Sequence, residues 1–207
     1  TMPTQNIDPL IALIASLSKA EKRGFKLFAK KSNSSLEEMK FIMLFDVIDK
    51  SKDYSDELVL SRLKAIKKSQ LSNLKAHLYK QILISLRLNP SHQDIRIQIR
   101  EQLDFATILY HKGLYKQSLK ILDKAKNLAI LNEEKNAAYE IVELEKVIES
   151  QYITRSISSR ADELTIQAKE LSLQNVLASK LSNLSLQLYG LFLKMGYIKN
   201  NEDYQII

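Results

Sequence analysis

The sequence predicts an all-helical protein with two parts, an N-terminal helical domain followed by stacked helical hairpins. The 207 residues include only 4 Gly and 3 Pro, far below the usual frequencies of about 7% and 5%. Because folds built from strands need many turn residues, this scarcity favours long helices joined by short polar loops. Hydrophobic residues make up 45% of the chain. They recur mostly every three or four positions, as on one face of a helix.

The first two helices are predicted from their capping residues. Asp8 followed by Pro9 is a start signal, because proline is favoured at the first position of a helix. This amphipathic helix should end near Leu17. Ser18 then begins a second helix, in which Glu21 completes a capping box three residues later.

The third and fourth helices are also predicted from their first residues. Ser35 and Glu38 form another capping box. The apolar residues that follow it at helical spacing are Met39, Ile42, Phe45 or Leu44, and Ile48. Residues 51–55 are polar and turn-like. Asp56 and Glu57 then open a fourth helix, because acidic side chains stabilise the positive end of the helix dipole.

A long fifth helix is predicted to begin at Ser69 and to end at Asn89. Its apolar face consists of Leu71, Leu74, Leu78, Ile82 and Leu86. Pro90 ends the helix, because proline disfavours a helical conformation in the residue before it. We therefore predict a basic N-terminal helical domain over residues 1–90 and a second domain over residues 91–207.

The segment after this boundary fits two patterns. Ile95, Ile97 and Ile99 alternate with polar residues, as in a strand. Ile95 and Ile99 also share one helical face with Leu103 and Ala106. Since no turn residues flank this segment, we predict a helix.

Residues 103–129 predict two helices that fold back on each other at Gly113. Glycine turns without a Cβ penalty, and small residues at three positions allow the two helices to approach closely. The segment resembles a tetratricopeptide repeat at that family's spacing, through Ala106, Leu109, Gly113, Tyr115, Ser118, Leu122 and Ala125. Ser118 stands where the family usually has alanine, and no proline closes the repeat.

Two degenerate repeats are expected after this one. The first would end in Ala161, Leu164 and Ala168, although this lies later than the family's period of about 34 residues allows. The second would begin near Val176 and turn at Gly196. The resemblance implies a right-handed superhelix of helical hairpins, with a concave surface that binds a peptide or a helix of another protein.

The most regular apolar pattern lies near the C-terminus. Its members are Leu177, Leu181, Leu184, Leu188, Leu191 and Met195. Such regularity is typical of helices packed in a core. The chain ends in apolar residues at Ile206 and Ile207, so we expect the native protein to continue with further helices.

No pattern of catalytic or cofactor-binding residues is present in the sequence. The four glycines lie too far apart to form a phosphate-binding loop, and the three histidines lack partners at metal-ligand spacing. With no cysteine, disulfides and thiolate metal sites are excluded. No apolar run approaches the roughly 18 residues of a membrane span. We expect a soluble, cytoplasmic bacterial protein that is not an enzyme and has no cofactor.

Positive charge is concentrated in the N-terminal half. Residues 1–100 contain 18 Lys and Arg against 10 Asp and Glu, whereas residues 101–207 contain 13 against 14. A candidate nucleic-acid patch consists of Arg62, Lys64, Lys67, Lys68, Lys75 and Lys80. Residues 69–74 also resemble the start of a recognition helix, since Ser, Gln and Asn side chains can reach base edges.

Two functions are compatible with these patterns. The first is a scaffold that binds a peptide or helix of a protein partner, with Asp104, Thr107 and Tyr110 as candidate groove residues. The second is a transcription-type regulator, in which the basic N-terminal domain binds nucleic acid and the repeats sense a partner. The partner and the oligomeric state are not determined by the sequence.

Overall fold

The structure is a computed structural model of the 207-residue chain. It describes residues 8–32, 36–51, 55–64, 66–152 and 158–196. Every regular element in these ranges is helical and none of them contains a strand, which confirms the all-α prediction. The chain divides into two compact units, Thr1–Asp94 and Ile95–Ile207.

The first unit packs its helices around one apolar core. Its elements are α1 (Pro9–Ser16), α2 (Lys19–Ser32), α3 (Leu36–Lys50), α4 (Asp56–Arg62), α5 (Lys68–Arg87) and a 3₁₀ turn (Pro90–His92). Helices α1 and α2 both pack against α3 and α5. The largest side chains at the centre are Phe25 and Phe45, whose ring centroids lie 4.9 Å apart. Their burial holds α2 against α3.

The predicted starts of the first two helices are confirmed by their hydrogen bonds. The carboxylate of Asp8 accepts a bond from the backbone N–H of Leu10 at 2.9 Å. The backbone N–H of Glu21 donates to the Ser18 hydroxyl at 3.2 Å, and its carboxylate accepts from the Ser18 N–H at 2.6 Å. The capping box predicted at Ser35 lies outside the described residues.

Helices α4 and α5 follow as the sequence predicts. The Ser55 hydroxyl accepts a hydrogen bond from the Leu58 N–H at 3.1 Å and so caps α4. Helix α5 begins one residue before the predicted Ser69. It ends before Asn89, whose side chain caps the 3₁₀ turn that contains Pro90.

Within the described residues, the second unit is a series of four helices, and tight turns join the first three. They are α6 (Ile95–His111), α7 (Tyr115–Leu131), α8 (Lys135–Tyr152) and α9 (Ser158–Met195). Each helix packs against the next, and α6 also contacts α8. The segment with alternating isoleucines is therefore helical, as predicted.

The predicted hairpin at Gly113 is present between α6 and α7. Gly113 has a φ of 74°, which favours glycine, and its N–H donates to the Tyr110 carbonyl at 2.9 Å. The small residues Ala106, Ser118 and Ala125 are buried where the two helices meet. The Ser118 hydroxyl donates to the Ala106 carbonyl at 2.7 Å, so this buried polar group has a hydrogen-bond partner.

The remaining residues of the repeat pattern complete the same hairpin. Leu122 is fully buried, whereas Leu109 and Tyr115 are half-buried at the turn end. The ring of Tyr115 meets that of Tyr110 edge-on, with centroids 5.6 Å apart. The aromatic contact closes the hairpin at the turn.

Helix α9 differs from the sequence prediction. The second degenerate repeat was expected to begin near Val176, but this residue lies inside a helix of 38 residues without a turn. Leu164 and Ala168 are buried against Val142 of α8, so only the first part of α9 completes a hairpin. The prediction of a new helix at Val176 is wrong because nothing in this segment breaks the helix before Gly196, which has a φ of 71°.

Candidate functional site

The last twenty residues of α9 extend past the helix against which α9 packs. The side-chain amide of Asn175 donates to the carbonyl of Lys135, the first residue of α8, at 3.4 Å. Because the two helices run in opposite directions, residues 176–195 continue beyond the start of α8. At 1.5 Å per residue this extension is about 30 Å long.

A line of exposed leucines follows one face of this extension. We define the leucine stripe as Leu177, Leu181, Leu184 and Leu188, whose exposed fractions are 60%, 60%, 52% and 45%. The sequence predicted these residues in a core, and that prediction is wrong for the described part of the chain. Helical periodicity correctly placed them on one face, but periodicity does not show which helix lies opposite.

The extension carries little charge. Lys180 and Lys194 are the only charged residues between Val176 and Met195, and at helical spacing they share a face with Asn183. Further exposed apolar side chains lie on the other faces of the extension. They are Val176, Leu186, Tyr189, Phe192 and Leu193. Contiguous apolar surface of this kind marks interaction sites in proteins.

A buried ion pair between α7 and α8 also binds two side chains from the N-terminal part of α9. The Lys126 ammonium of α7 lies 2.7 Å from the Glu145 carboxylate of α8, and both residues are almost fully buried. Arg160 of α9 contacts the same carboxylate at 3.2 Å and Glu149 at 3.7 Å. Gln167 of α9 accepts from Lys126 at 3.3 Å. Three helices are therefore joined at one polar cluster.

This cluster was not predicted from the sequence. Four glutamates lie close together in α8, and Glu145 is the buried one among Glu140, Glu143, Glu145 and Glu149. Buried carboxylates require a cationic partner, and Lys126 provides it from a different helix. No spacing in the sequence relates these two residues.

The three predicted groove residues belong to α6. Asp104 and Thr107 are exposed, and the Thr107 hydroxyl donates to the carbonyl of Leu103 within the same helix. Tyr110 is half-buried and donates to the Gln151 side chain of α8 at 2.8 Å. Tyr110 therefore links the C-terminal ends of α6 and α8.

Most of the predicted basic patch is exposed near the junction of α4 and α5. Five of its six members are accessible to solvent, namely Arg62, Lys64, Lys67, Lys68 and Lys80. Lys75 is different, because its ammonium forms ion pairs with Asp8 and, at 3.3 Å, with Asp56. These two pairs connect α5 to the starts of α1 and α4.

The first turns of α5 present polar side chains next to this patch. Ser69, Gln70, Ser72 and Asn73 are exposed. A cleft of about 250 Å³ lies between this end of α5 and Phe41 of α3. The residues that resemble the start of a recognition helix thus lie in the first turns of α5, after the shorter helix α4.

Comparison with known protein families, with curated proteins and with solved structures finds no match to this chain. Among the described residues, no cluster of three or more His, Cys, Asp or Glu side chains is placed to bind a metal ion. In the same part of the chain, no helix combines the length and the apolar character needed to cross a membrane.

Proposed function

We propose that the protein is a non-catalytic interaction module that binds a helix of a protein partner through the leucine stripe of α9. The observation that carries this proposal is the exposure of four leucines at helical spacing on an extension that lies beyond α8. Amphipathic helices commonly bind apolar surfaces through side chains spaced three and four residues apart.

The hairpin of α6 and α7 supports a tetratricopeptide-like character for the second unit. Its buried small residues, Ala106, Ser118 and Ala125, have the spacing of that family. In such repeats the inner helices form the partner surface. Under this proposal, Asp104, Thr107 and Tyr110 form a second, polar contact surface on α6.

Affinity capture with matched variants tests the use of the stripe. The wild-type chain, L181E/L188E and L186E serve as bait in parallel from cells that normally produce the protein. Both variants place glutamate at exposed positions of α9, but only L181E/L188E changes residues of the stripe. We expect a captured partner to be lost with L181E/L188E and kept with L186E. Equal capture by all three baits would contradict the proposal.

Nucleic-acid binding by the first unit is a second candidate function. It is favoured by the exposed basic residues at the junction of α4 and α5 and by the polar first turns of α5. No Asp or Glu occurs between Leu58 and Gln93, so phosphate groups would meet little repulsion along this segment.

A titration with duplex DNA at two salt concentrations tests this second candidate. Counterion release makes phosphate binding fall steeply as salt increases. We expect K67Q/K68Q to weaken binding and K120Q/K124Q, with two exposed lysines of α7, to leave it unchanged. Absence of binding at low salt, or an equal loss in both variants, would eliminate the candidate.

A further inference from the structure

We propose that the partner of the leucine stripe is a second copy of this chain, so that two α9 extensions pair as a short two-helix coiled coil. This inference rests on the proposed function, because it names the partner of the same surface. Three properties of the extension lead to it: the spacing of the leucines, the apolar area and the charge.

The leucines of the stripe have the spacing of a coiled-coil seam. Leu177, Leu181, Leu184 and Leu188 are separated by four, three and four residues, and Leu191 continues the series. Alternating steps of three and four give the 3.5-residue repeat in which each side chain inserts between four residues of the facing helix. A stripe with leucine at both seam positions provides the projections and the gaps, so it is complementary to a copy of itself.

The exposed area is sufficient for a weak, specific pair. The stripe together with Phe192, at exposed fractions of 45–60%, presents roughly 450 Å² in each copy if a large side chain offers about 170 Å². Two copies would then bury roughly 900 Å², within the size range of weak interfaces. We therefore expect an affinity in the micromolar range.

The charge distribution permits a parallel pair of two copies. Lys180 and Lys194 are the only charged residues of the extension and lie beside the stripe, at positions that flank a coiled-coil seam. The opposite flank carries Ala178, Ser185 and Phe192, so a parallel pair places no two of these lysines opposite each other. A symmetric pair requires only that the same patch fit itself, which is the usual arrangement in homodimers.

Sedimentation velocity of the full 207-residue chain tests the proposal between about 1 and 200 µM. We expect the mass to rise from that of the 23.8 kDa monomer towards twice that value. L181E/L188E should raise the dissociation constant by at least about 100-fold, because two buried leucines are replaced by charges. L186E, on another face of the same helix, should remain dimeric.

Three outcomes would overturn the inference: a wild-type chain that stays monomeric at 200 µM, a dimer that L181E/L188E leaves intact, or a dimer that L186E disrupts equally. Circular dichroism of all three proteins verifies that the helix content is unchanged.

The capture experiment separates this inference from the proposed function. If the chain is monomeric but loses a captured partner in L181E/L188E, only the self-association fails; if neither experiment responds to L181E/L188E, both proposals fail.

Discussion

Lys126 and Glu145 form the most deeply buried ion pair described in the second unit, with side chains 5% and 1% exposed. Removing one member of such a pair leaves the other charge in an apolar environment, which typically costs about 3–5 kcal/mol. In E145A the ammonium of Lys126 would lose the carboxylate and keep its contact with the Gln167 side chain, at 3.3 Å. The pair therefore constrains how α7, α8 and α9 pack.

We predict that E145A lowers the free energy of unfolding by about 3–5 kcal/mol, measured by urea denaturation. K146A is the matched control, because Lys146 pairs with Glu143 at the surface, where both side chains are about 40% exposed. Its effect should stay below about 1 kcal/mol. A similar loss of unfolding free energy in both variants would show that burial does not determine how much the pair of Lys126 and Glu145 contributes to stability.

The capping box of α2 makes stability depend on pH. Hydrogen bonds from the backbone and side chain of Ser18, together with the contact to His92, hold the pKa of Glu21 below its ordinary value of 4.5. A carboxylate with a lowered pKa stabilises the folded state above the unfolded pKa, and this contribution disappears as the pH falls through the folded pKa.

We predict that wild type is more stable than E21Q at pH 7 and that the difference narrows once the pH falls below about 4.5. The difference in stability is measured as the difference between the thermal unfolding midpoints of the two proteins from pH 3 to pH 7. A difference that is constant over the whole range would contradict the assigned role of the Glu21 charge.

At the scale of single residues, the sequence was informative where the interaction is local. The Ser18 and Glu21 capping box was predicted because its partners lie three residues apart, and the small residue at position 118 was predicted from its place in the hairpin. The pair of Lys126 and Glu145 was missed because its members lie on different helices. Only the packing of those helices brings the two charges together.

At the scale of helices and turns, the hairpin of α6 and α7 depends on the backbone of Gly113. Its φ of 74° lies in the left-handed region, which a residue with a Cβ adopts at a cost of about 1–2 kcal/mol. Gly24 lies instead within α2, and a Cβ added there meets no atom within 4 Å. Glycine inside a helix is less favourable than alanine by about 0.5–1 kcal/mol.

We predict opposite effects for the same substitution at these two positions. G113A should lower the free energy of unfolding by about 1–2 kcal/mol, whereas G24A should raise it by about 0.5–1 kcal/mol. Urea denaturation of the two variants and wild type gives both values. If G113A is neutral, the turn tolerates another conformation and Gly113 does not determine the hairpin.

Helix α9 shows why element boundaries were harder to predict than helical character. The apolar periodicity of residues 176–195 correctly indicated a helix, and Gly196 was correctly placed at its end. The expected start near Val176 came from the resemblance to a helical repeat, not from a residue that stops a helix. Since no glycine or proline occurs between Ser158 and Tyr189, the helix continues.

At the scale of the whole molecule, each unit has an apolar core of its own. The core of the first is built around Phe25, Phe45 and Leu78, and that of the second around Ile99, Leu122 and Ile141. We predict that residues 1–94 and residues 95–207, produced separately, each fold into a helical domain, because both exceed the size at which one core suffices.

Circular dichroism with thermal unfolding measures this for both fragments. We expect helical spectra and a cooperative transition in each. A fragment that lacks a cooperative transition would show that its core needs the other half of the chain. The excess of positive charge in the N-terminal half coincides with the first unit. The DNA titration tests whether that unit binds nucleic acid.

The unbroken length of α9 has a mechanical consequence. A helix of 38 residues is about 57 Å long and acts as a lever, so a tilt of about 5° at Asn175 displaces a tip about 30 Å away by about 3 Å. The direction of the extension therefore depends on how the first turns of α9 are held, and Arg160 holds them through its ion pair with Glu145. Breaking this ion pair would reorient the extension without changing any of its leucines.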